Sequence, residues 1–158
     1  MELFPVRDVR LITVELTQDV ELEWNDQVVK TSQHSVNDGE VIVWHAKAID
    51  GGIYRLREEE PLDPELDIFI PAMLMKPASP TAGQTWNYTS KGGFIARNFT
   101  VTATDGPSPN GITGCVVVEE VRPRSYTDTW YFKGDTAVAL TEKEYNEAGI
   151  SVIYRVGD

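Results

Sequence analysis

Two histidines, one cysteine and a few charges set among apolar residues are the groups in this chain that could do chemistry. His34 and His45 stand eleven residues apart with no cysteine near either. A zinc site draws Cys or His ligands at short spacing, and this pair does not meet that pattern. Cys115 sits inside the apolar run Ile112 to Val118. A nucleophilic cysteine needs a base beside it, and both histidines are distant in sequence, so Cys115 reads as a small buried hydrophobe. Asp63, Glu65 and Asp67 alternate as calcium ligands do, but Pro64 interrupts them. The glycine and closing glutamate of the helix-loop-helix calcium site are missing, so a solvated loop is expected there. Neither a Gly-x-x-x-x-Gly-Lys run nor a Gly-x-Gly-x-x-Gly run occurs, which leaves nucleotide chemistry without its phosphate-cradling loop. No cofactor is expected. Asn87-Tyr88-Thr89 and Asn98-Phe99-Thr100 fit the glycosylation acceptor pattern, which has meaning only in a secreted eukaryotic protein.

The more informative groups are charges on apolar strand faces. Ile95, Phe99, Val101 and Ala103 alternate along one stretch, with Arg97 among them. Tyr126, Trp130 and Phe132 alternate along another, with Asp128 among them. His45 and Lys47 share a face with Val41, Val43 and Ile49. A buried charge must be paired or reach water. Two readings follow. Either these strands bulge or open to solvent, or the concave face of a sheet is a partly wet pocket with aromatic walls. Ligand pockets have that character, mostly apolar with a few placed polar groups. The ligand-facing set would then be Arg97, Asp128, Trp130, Phe132, Phe99 and His45. Arg97 and Asp128 are also candidates to meet across the strand between them, Ile112 to Val121. Two strand spacings make roughly 10 Å, much of which an arginine can span.

The elements that must carry these residues are strands, because period-two patterning dominates. Leu11 to Leu16 is one, and Val20, Leu22 and Trp24 alternate with Glu21 and Glu23 in another. Asn37-Asp38-Gly39 marks a turn. Glu40 to Ile49 follows, with Ile42, Trp44, Ala46 and Ala48 on one face, and Asp50-Gly51-Gly52 turns it back into Ile53 to Arg57. The acidic run Glu58-Glu59-Glu60-Pro61 reads as a solvated loop. Asp67 to Met75 is apolar enough for a strand, and Lys76 to Gly83 is a connector rich in proline. A meander then runs through Gln84 to Ser90, Phe94 to Thr104, Ile112 to Val121, Ser125 to Lys133, Ala137 to Tyr145 and Ile150 to Val156. Thr141 and Glu144 could form a capping box for a short helix over 142–148, but the alternation on both sides favours a hairpin. Regular strands separated by turn signals predict a mainly β fold. We expect a single-domain antiparallel meander forming a half-barrel, barrel or sandwich with little helix.

Composition sets the outer limits. At 158 residues one domain is the natural expectation, and folding at this size buries roughly 70% of the chain's surface. The chain is 41% hydrophobic, with four Trp, six Tyr and five Phe, enough to fill a core without metals or disulfides. The 25 acidic against 14 basic residues leave a net charge of −11. Nucleic-acid binding relies on Lys and Arg neutralising phosphates, so no nucleic-acid partner is expected, and an anionic membrane surface would repel the chain. No apolar stretch of about 20 residues occurs, so no membrane span is expected. Met1-Glu2-Leu3-Phe4-Pro5 lacks the basic opening and apolar run of a signal peptide. Two compartments stay open: the cytoplasm, or the cell envelope if a leader has been removed.

The second half of the chain carries a resemblance. Its first strand is introduced by Gly83-Gln84-Thr85-Trp86-Asn87-Tyr88. Its aromatic strand is Asp128-Thr129-Trp130-Tyr131-Phe132-Lys133-Gly134, followed by Ala137-Val138-Ala139-Leu140 and a final hairpin. Over residues 70–156 this resembles bacterial envelope and lipoprotein-like domains with an open half-barrel β-sheet. The resemblance implies a concave face able to hold an acyl chain, as in carriers of lipid-modified proteins. The chain departs from that group in lacking a lipid-attachment cysteine near its start and a helix to plug the sheet.

Together these features point to a non-catalytic binding or interaction module, its partner an apolar small molecule or a protein segment on the concave face. A structural domain of an envelope assembly and an enzyme of unknown type are the rivals. A roomy cavity favours binding, and a cleft holding a perturbed carboxylate or histidine favours the enzyme.

Overall fold

The computed structural model describes residues 10–60, 63–144 and 152–153. Among these, no helix forms. The strands in chain order are β1 (Arg10–Trp24), β2 (Gln27–Val36), β3 (Val41–Lys47), β4 (Ile53–Glu60), β5 (Asp63–Lys76), β6 (Thr85–Thr89), β7 (Ala96–Gly106), β8 (Cys115–Val121), β9 (Tyr126–Lys133), β10 (Thr136–Glu144) and β11 (Val152–Ile153). They make one antiparallel sheet in the order β5-β4-β3-β2-β1-β10-β9-β8-β7-β6, with β11 attached to β10. The sheet is thus two meanders, β1–β5 and β6–β10, joined where β1 pairs with β10 from Arg10↔Glu142 to Thr13↔Ala139. The mainly β meander expected from the patterning is what forms, as a nearly closed, barrel-like sheet.

Three local expectations change. Gln27–Val36 is a full strand, though its sequence QVVKTSQHSV is too polar to stand out by alternation. Its marker is the turn before it: Asn25 and Asp26 hold φ of 51° and 61°, the left-handed pair of a two-residue hairpin, which Asn and Asp tolerate well. The acidic run is no loop at its start, because Glu58, Glu59 and Glu60 complete β4 and Glu58 is buried. Asp63 and Asp67 lie on β5, where a solvated loop was expected. At 142–148 the strand favoured over the short helix is what forms at the start, since β10 continues to Glu144; positions 145–148 lie outside the described residues.

One bulge gives the molecule two cores. Between Leu16↔His34 and Gln18↔Gln33 an extra residue enters β1. A strand alternates faces with period two, so one extra residue sends the following side chains to the opposite face. Ile12 and Val14, before the bulge, join the main core with Val36, Val43, Phe69 and Trp130. Val20, Leu22 and Trp24, after it, pack against Trp44, Ala46 and Leu56 in a second core. The same strand therefore serves two interiors. Trp44 belongs to the second, with the Arg57 guanidinium 4.6 Å from its ring centroid.

The two end strands meet without a ladder. Trp86 Nε1 donates to the Leu74 carbonyl at 3.0 Å, the Tyr88 hydroxyl to Pro71 at 2.6 Å, and the Lys91 amide to Ile70 at 2.7 Å. Residues from β6 and the turn after it thus satisfy carbonyls of β5, and the sheet closes on itself.

Candidate functional site

Where β8, β9 and β4 approach inside the barrel, the lining changes from apolar to ionised. The register places Val118 opposite Trp130 and Glu120 opposite Asp128. Glu120 is 1% exposed. It accepts from Trp130 Nε1 at 2.9 Å and from Arg97 Nε at 3.2 Å, with Arg55 Nη1 at 3.5 Å. Burial alone would raise its carboxyl. The charges of Arg55, Arg122 and Arg97 and the Trp130 hydrogen bond outweigh that and hold it below the ordinary range.

Arg55 is the hub of this cluster. A bulge between β3 and β4 puts it opposite His45. Its Nε donates to His45 Nε2 at 3.2 Å, and its guanidinium lies 4.6 Å from the Trp130 ring centroid. Because His45 Nε2 accepts, the ring proton belongs on Nδ1. Glu58 Oε2 lies 3.6 Å from Arg55 Nη1, and Glu58 Oε1 lies 3.6 Å from Arg122 Nη2. Three arginines and two glutamates thus share a space in which every charge has an opposite neighbour, as buried charges require.

Asp128 has the opposite environment. It is 7% exposed, and its carboxyl is raised well above the ordinary value by burial first, then by the like charges of Glu120 and Glu142. A hydrogen bond to Glu142 favours the protonated form further, and the Arg122 charge opposes only in part. Among the described residues its Oδ1 has no hydrogen-bond partner, and neither has Arg55 Nη2.

These groups border a cavity of about 430 Å³ at the end of the barrel formed by the β2–β3 turn, the end of β4 and the start of β9. Ile12, Val36, Val41, Val43, Trp130 and Leu140 give it an apolar wall. Arg55, Glu58, Asp128 and Glu142 give it a charged one, and Glu40, Glu60 and Tyr126 also border it. The volume falls in the range of small-molecule sites, roughly 300–1,000 Å³.

The residues singled out from sequence separate into three groups. Asp128 and Trp130 line this cavity. Arg97 lies behind it, with Glu120 as its partner, so the meeting of Arg97 with Asp128 does not occur: the strand between them supplies the carboxylate first. Phe99 and Phe132 are fully packed in the main core. His45 contacts Arg55 from behind and borders a second, more open hollow with Asp19, Lys30, Ser32 and Lys47. Lys47 itself is exposed, paired with Asp135 at 2.9 Å, and Ile49 is fully exposed, so the face the two were expected to share with Val43 ends at His45. Sequence reasoning passed over Glu120, Arg55, Glu58 and Glu142. The signal for Glu120 was its two-residue spacing from Val118, which puts both on the inward face of β8.

Among the described residues, no group of three or more His, Cys, Asp or Glu side chains is arranged to hold a metal ion. Cys115 is buried, with Sγ 3.5 Å from the Ile112 carbonyl oxygen. Among the described residues, no helix is long and apolar enough to cross a membrane. Comparison with protein families, with curated proteins and with solved structures finds no match to this chain.

Proposed function

We propose that this protein is a small-molecule binding module whose site is the cavity at the mouth of the barrel. The observation that carries this reading is the composition of that cavity. An apolar wall faces a charged one, and three side chains on it, Arg55, Glu58 and Asp128, each keep a buried polar atom with no hydrogen-bond partner among the described residues. Buried polar atoms are nearly always satisfied, so a ligand supplying an acceptor near Arg55 and donors near Glu58 and Asp128 would complete the set. The concave face proper is filled by Phe99, Phe132 and their neighbours, which favours the mouth over the sheet centre. The test is titration with the uncharged dye N-phenylnaphthylamine. Saturable fluorescence enhancement at one dye per chain is expected, lost in Val41→Trp, which blocks the cavity at a half-buried position, and kept in Val28→Trp, on an exposed site elsewhere. Equal dye response in all three proteins, each confirmed folded, would defeat it.

The raised Asp128 carboxyl beside Glu142 also favours a second reading, acid–base catalysis by a carboxyl pair with one proton between them. It requires turnover of some hydrolysable substrate that Asp128→Asn and Glu142→Gln both abolish.

A further inference from the structure

We infer that the cavity takes an uncharged amide, a primary carboxamide or lactam on a small apolar body, with its C=O on Arg55 Nη2 and its N–H on Glu58 Oε2. The inference rests on the reading of the cavity as a binding site and adds the chemical class of its ligand.

A bulge sets this pair up. Side chains of a regular strand alternate faces, so residues three apart point to opposite sides. Between Trp44↔Arg57 and His45↔Arg55 one extra residue enters β4, and the alternation slips by one. Leu56 and Arg57 both pack against Trp44 in the second core or over its ring. Arg55 and Glu58 share the inward face, where both are buried and both border the cavity. Arg55 Nη1 lies 3.6 Å from Glu58 Oε2, which is too long for a hydrogen bond. Arg55 Nη2 and Glu58 Oε2 are each left without a hydrogen-bond partner among the described residues. A donor and an acceptor thus stand side by side on one wall, and buried polar atoms are rarely left so.

The group that completes them carries an acceptor beside a donor, and the immediate neighbours of each atom decide its charge. Glu58 has Arg55 on one carboxylate oxygen and Arg122 on the other, each at 3.6 Å, so an ammonium arriving there would meet two guanidiniums. Arg55 has Glu58 at 3.6 Å and Glu120 at 3.5 Å, so an arriving carboxylate would meet two carboxylates. An uncharged amide brings both hydrogen-bonding groups and no charge for either set to repel. Its N–H must lie on the same side as its C=O, as in a primary carboxamide or a lactam. A secondary amide in the ordinary trans form points the two in opposite directions. Val41, Val43 and Leu140 on the facing wall take the apolar body. Asp128 Oδ1, a further acceptor on the cavity with no hydrogen-bond partner among the described residues, gives the second N–H of a primary amide a place.

The experiment competes compounds built on one phenylethyl body against N-phenylnaphthylamine on the intact chain: hydrocinnamamide, its N-methyl derivative, benzylacetone, hydrocinnamate and phenylpropylamine. Benzylacetone keeps the carbonyl and replaces the amide nitrogen by a methyl group. Hydrocinnamamide is expected to displace the dye at a concentration at least about tenfold lower than this ketone, and the other three to do no better than the ketone. In Glu58→Met the amide is expected to lose its advantage over the ketone. Proton NMR reads the same contact in the wild type, should that variant not fold: the N–H resonances of bound hydrocinnamamide are expected downfield of their position in water. Equal displacement by amide and ketone overturns the amide class but leaves the binding site standing. Strongest displacement by the acid overturns it in favour of Arg55 as an anion anchor, and by the amine in favour of a carboxylate anchor. An N-methyl derivative as strong as hydrocinnamamide overturns the side-by-side pairing. An advantage kept in folded Glu58→Met, or N–H resonances that do not move, overturns the seat at Glu58. Failure of the dye itself to bind overturns the binding reading beneath it.

Discussion

Arg97 donates from Nε to Glu120 Oε2 at 3.2 Å, and the two side chains are buried together between β7 and β8. Arg97 Nη1 also donates to the carbonyl of its own neighbour, Ala96, at 2.9 Å. Removing one member of a buried pair strands the other's charge, which typically costs about 3–5 kcal/mol. Glu120→Ala is expected to cost at least that range, because Arg55 loses a partner as well as Arg97. Urea denaturation of the single and double variants is expected to give an Arg97–Glu120 coupling of about 1 kcal/mol or more. An Arg97–Asp128 cycle is expected within about 0.5 kcal/mol of additivity. Comparable coupling in both cycles would contradict the pairing described here.

Asp128 should cost the fold stability at neutral pH. Its carboxyl is held protonated well above the ordinary 3.8, by burial first and the Glu120 and Glu142 charges next. Between pH 3.8 and its folded value, the folded state binds a proton the unfolded state gives up, so this contribution to stability falls as pH rises. Asn imitates the protonated form and does not titrate. Asp128→Asn is expected to match the wild type near pH 3.8 and to gain on it as pH rises, by on the order of 1 kcal/mol or more at neutrality. The check is the difference in urea midpoint against pH, and a flat difference would mean that Asp128 is ionised in the fold.

The contrast between Arg97 and Asp128 shows what was legible in the sequence. Alternation alone placed both charges inward on apolar strands, and both are buried. It could not name their partners, because partnership depends on register. Glu120 was hidden by its sequence neighbours: Glu119-Glu120 looks like the polar end of an apolar run until β8 is paired with β9 and Glu120 lands opposite Asp128. Arg55 was hidden in the same way, since only the bulge between β3 and β4 brings it to His45. The second core escaped because the bulge in β1 reverses the faces of an otherwise unbroken even-numbered series, Ile12 to Trp24. Turn chemistry was read well where glycine was present, as at Gly51-Gly52, and missed at Asn25-Asp26.

The histidines supply a pH dependence of the opposite sign to Asp128. His45 is held well below 6.5 by burial, then by the charges of Arg55 and His34, and His34 is lowered by burial and Arg55. Their ring centroids are 5.5 Å apart. In the unfolded chain each ring takes a proton near pH 6.5. Below that pH the unfolded state binds protons the folded state refuses, so this contribution is lost as pH falls. His45→Gln keeps an acceptor for Arg55 Nε without titrating. It is expected to lose less stability than the wild type between about pH 7 and 5, and an equal loss in both would place the acid sensitivity elsewhere.

Trp44 anchors the second core with Leu22, Ala46 and Leu56, at 7% exposure. Truncating a buried Trp typically costs about 3–5 kcal/mol. Trp44→Ala is expected in that range, and Arg57 loses the ring it covers. A denaturation midpoint within error of the wild type would show that the second core contributes little.

The seam between β5 and β6 is where the barrel is expected to open first. Elsewhere neighbouring strands exchange backbone hydrogen bonds along their length. Here the carbonyls of Ile70, Pro71 and Leu74 accept from Lys91, Tyr88 and Trp86, and Trp24 Nε1 reaches the Phe69 carbonyl at 2.9 Å. Three of the four donors are single side-chain atoms, so the closure can be weakened without touching the backbone. Tyr88→Phe and Trp86→Phe remove two donors and keep aromatic bulk; Trp86 also stacks on Phe99, with centroids 5.2 Å apart. Each change is expected to cost about 0.5–1.5 kcal/mol. The pair should do more than destabilise. Loss of the seam frees the edges of β5 and β6, and an unpaired edge is a template for another chain. In the double variant, amides of β6 and its partner β7 are expected to exchange faster while those of β9 and β10 keep their protection. A concentration-dependent dimer is expected by size-exclusion chromatography. Uniform loss of protection across the sheet would show instead that the seam and the barrel open as one unit.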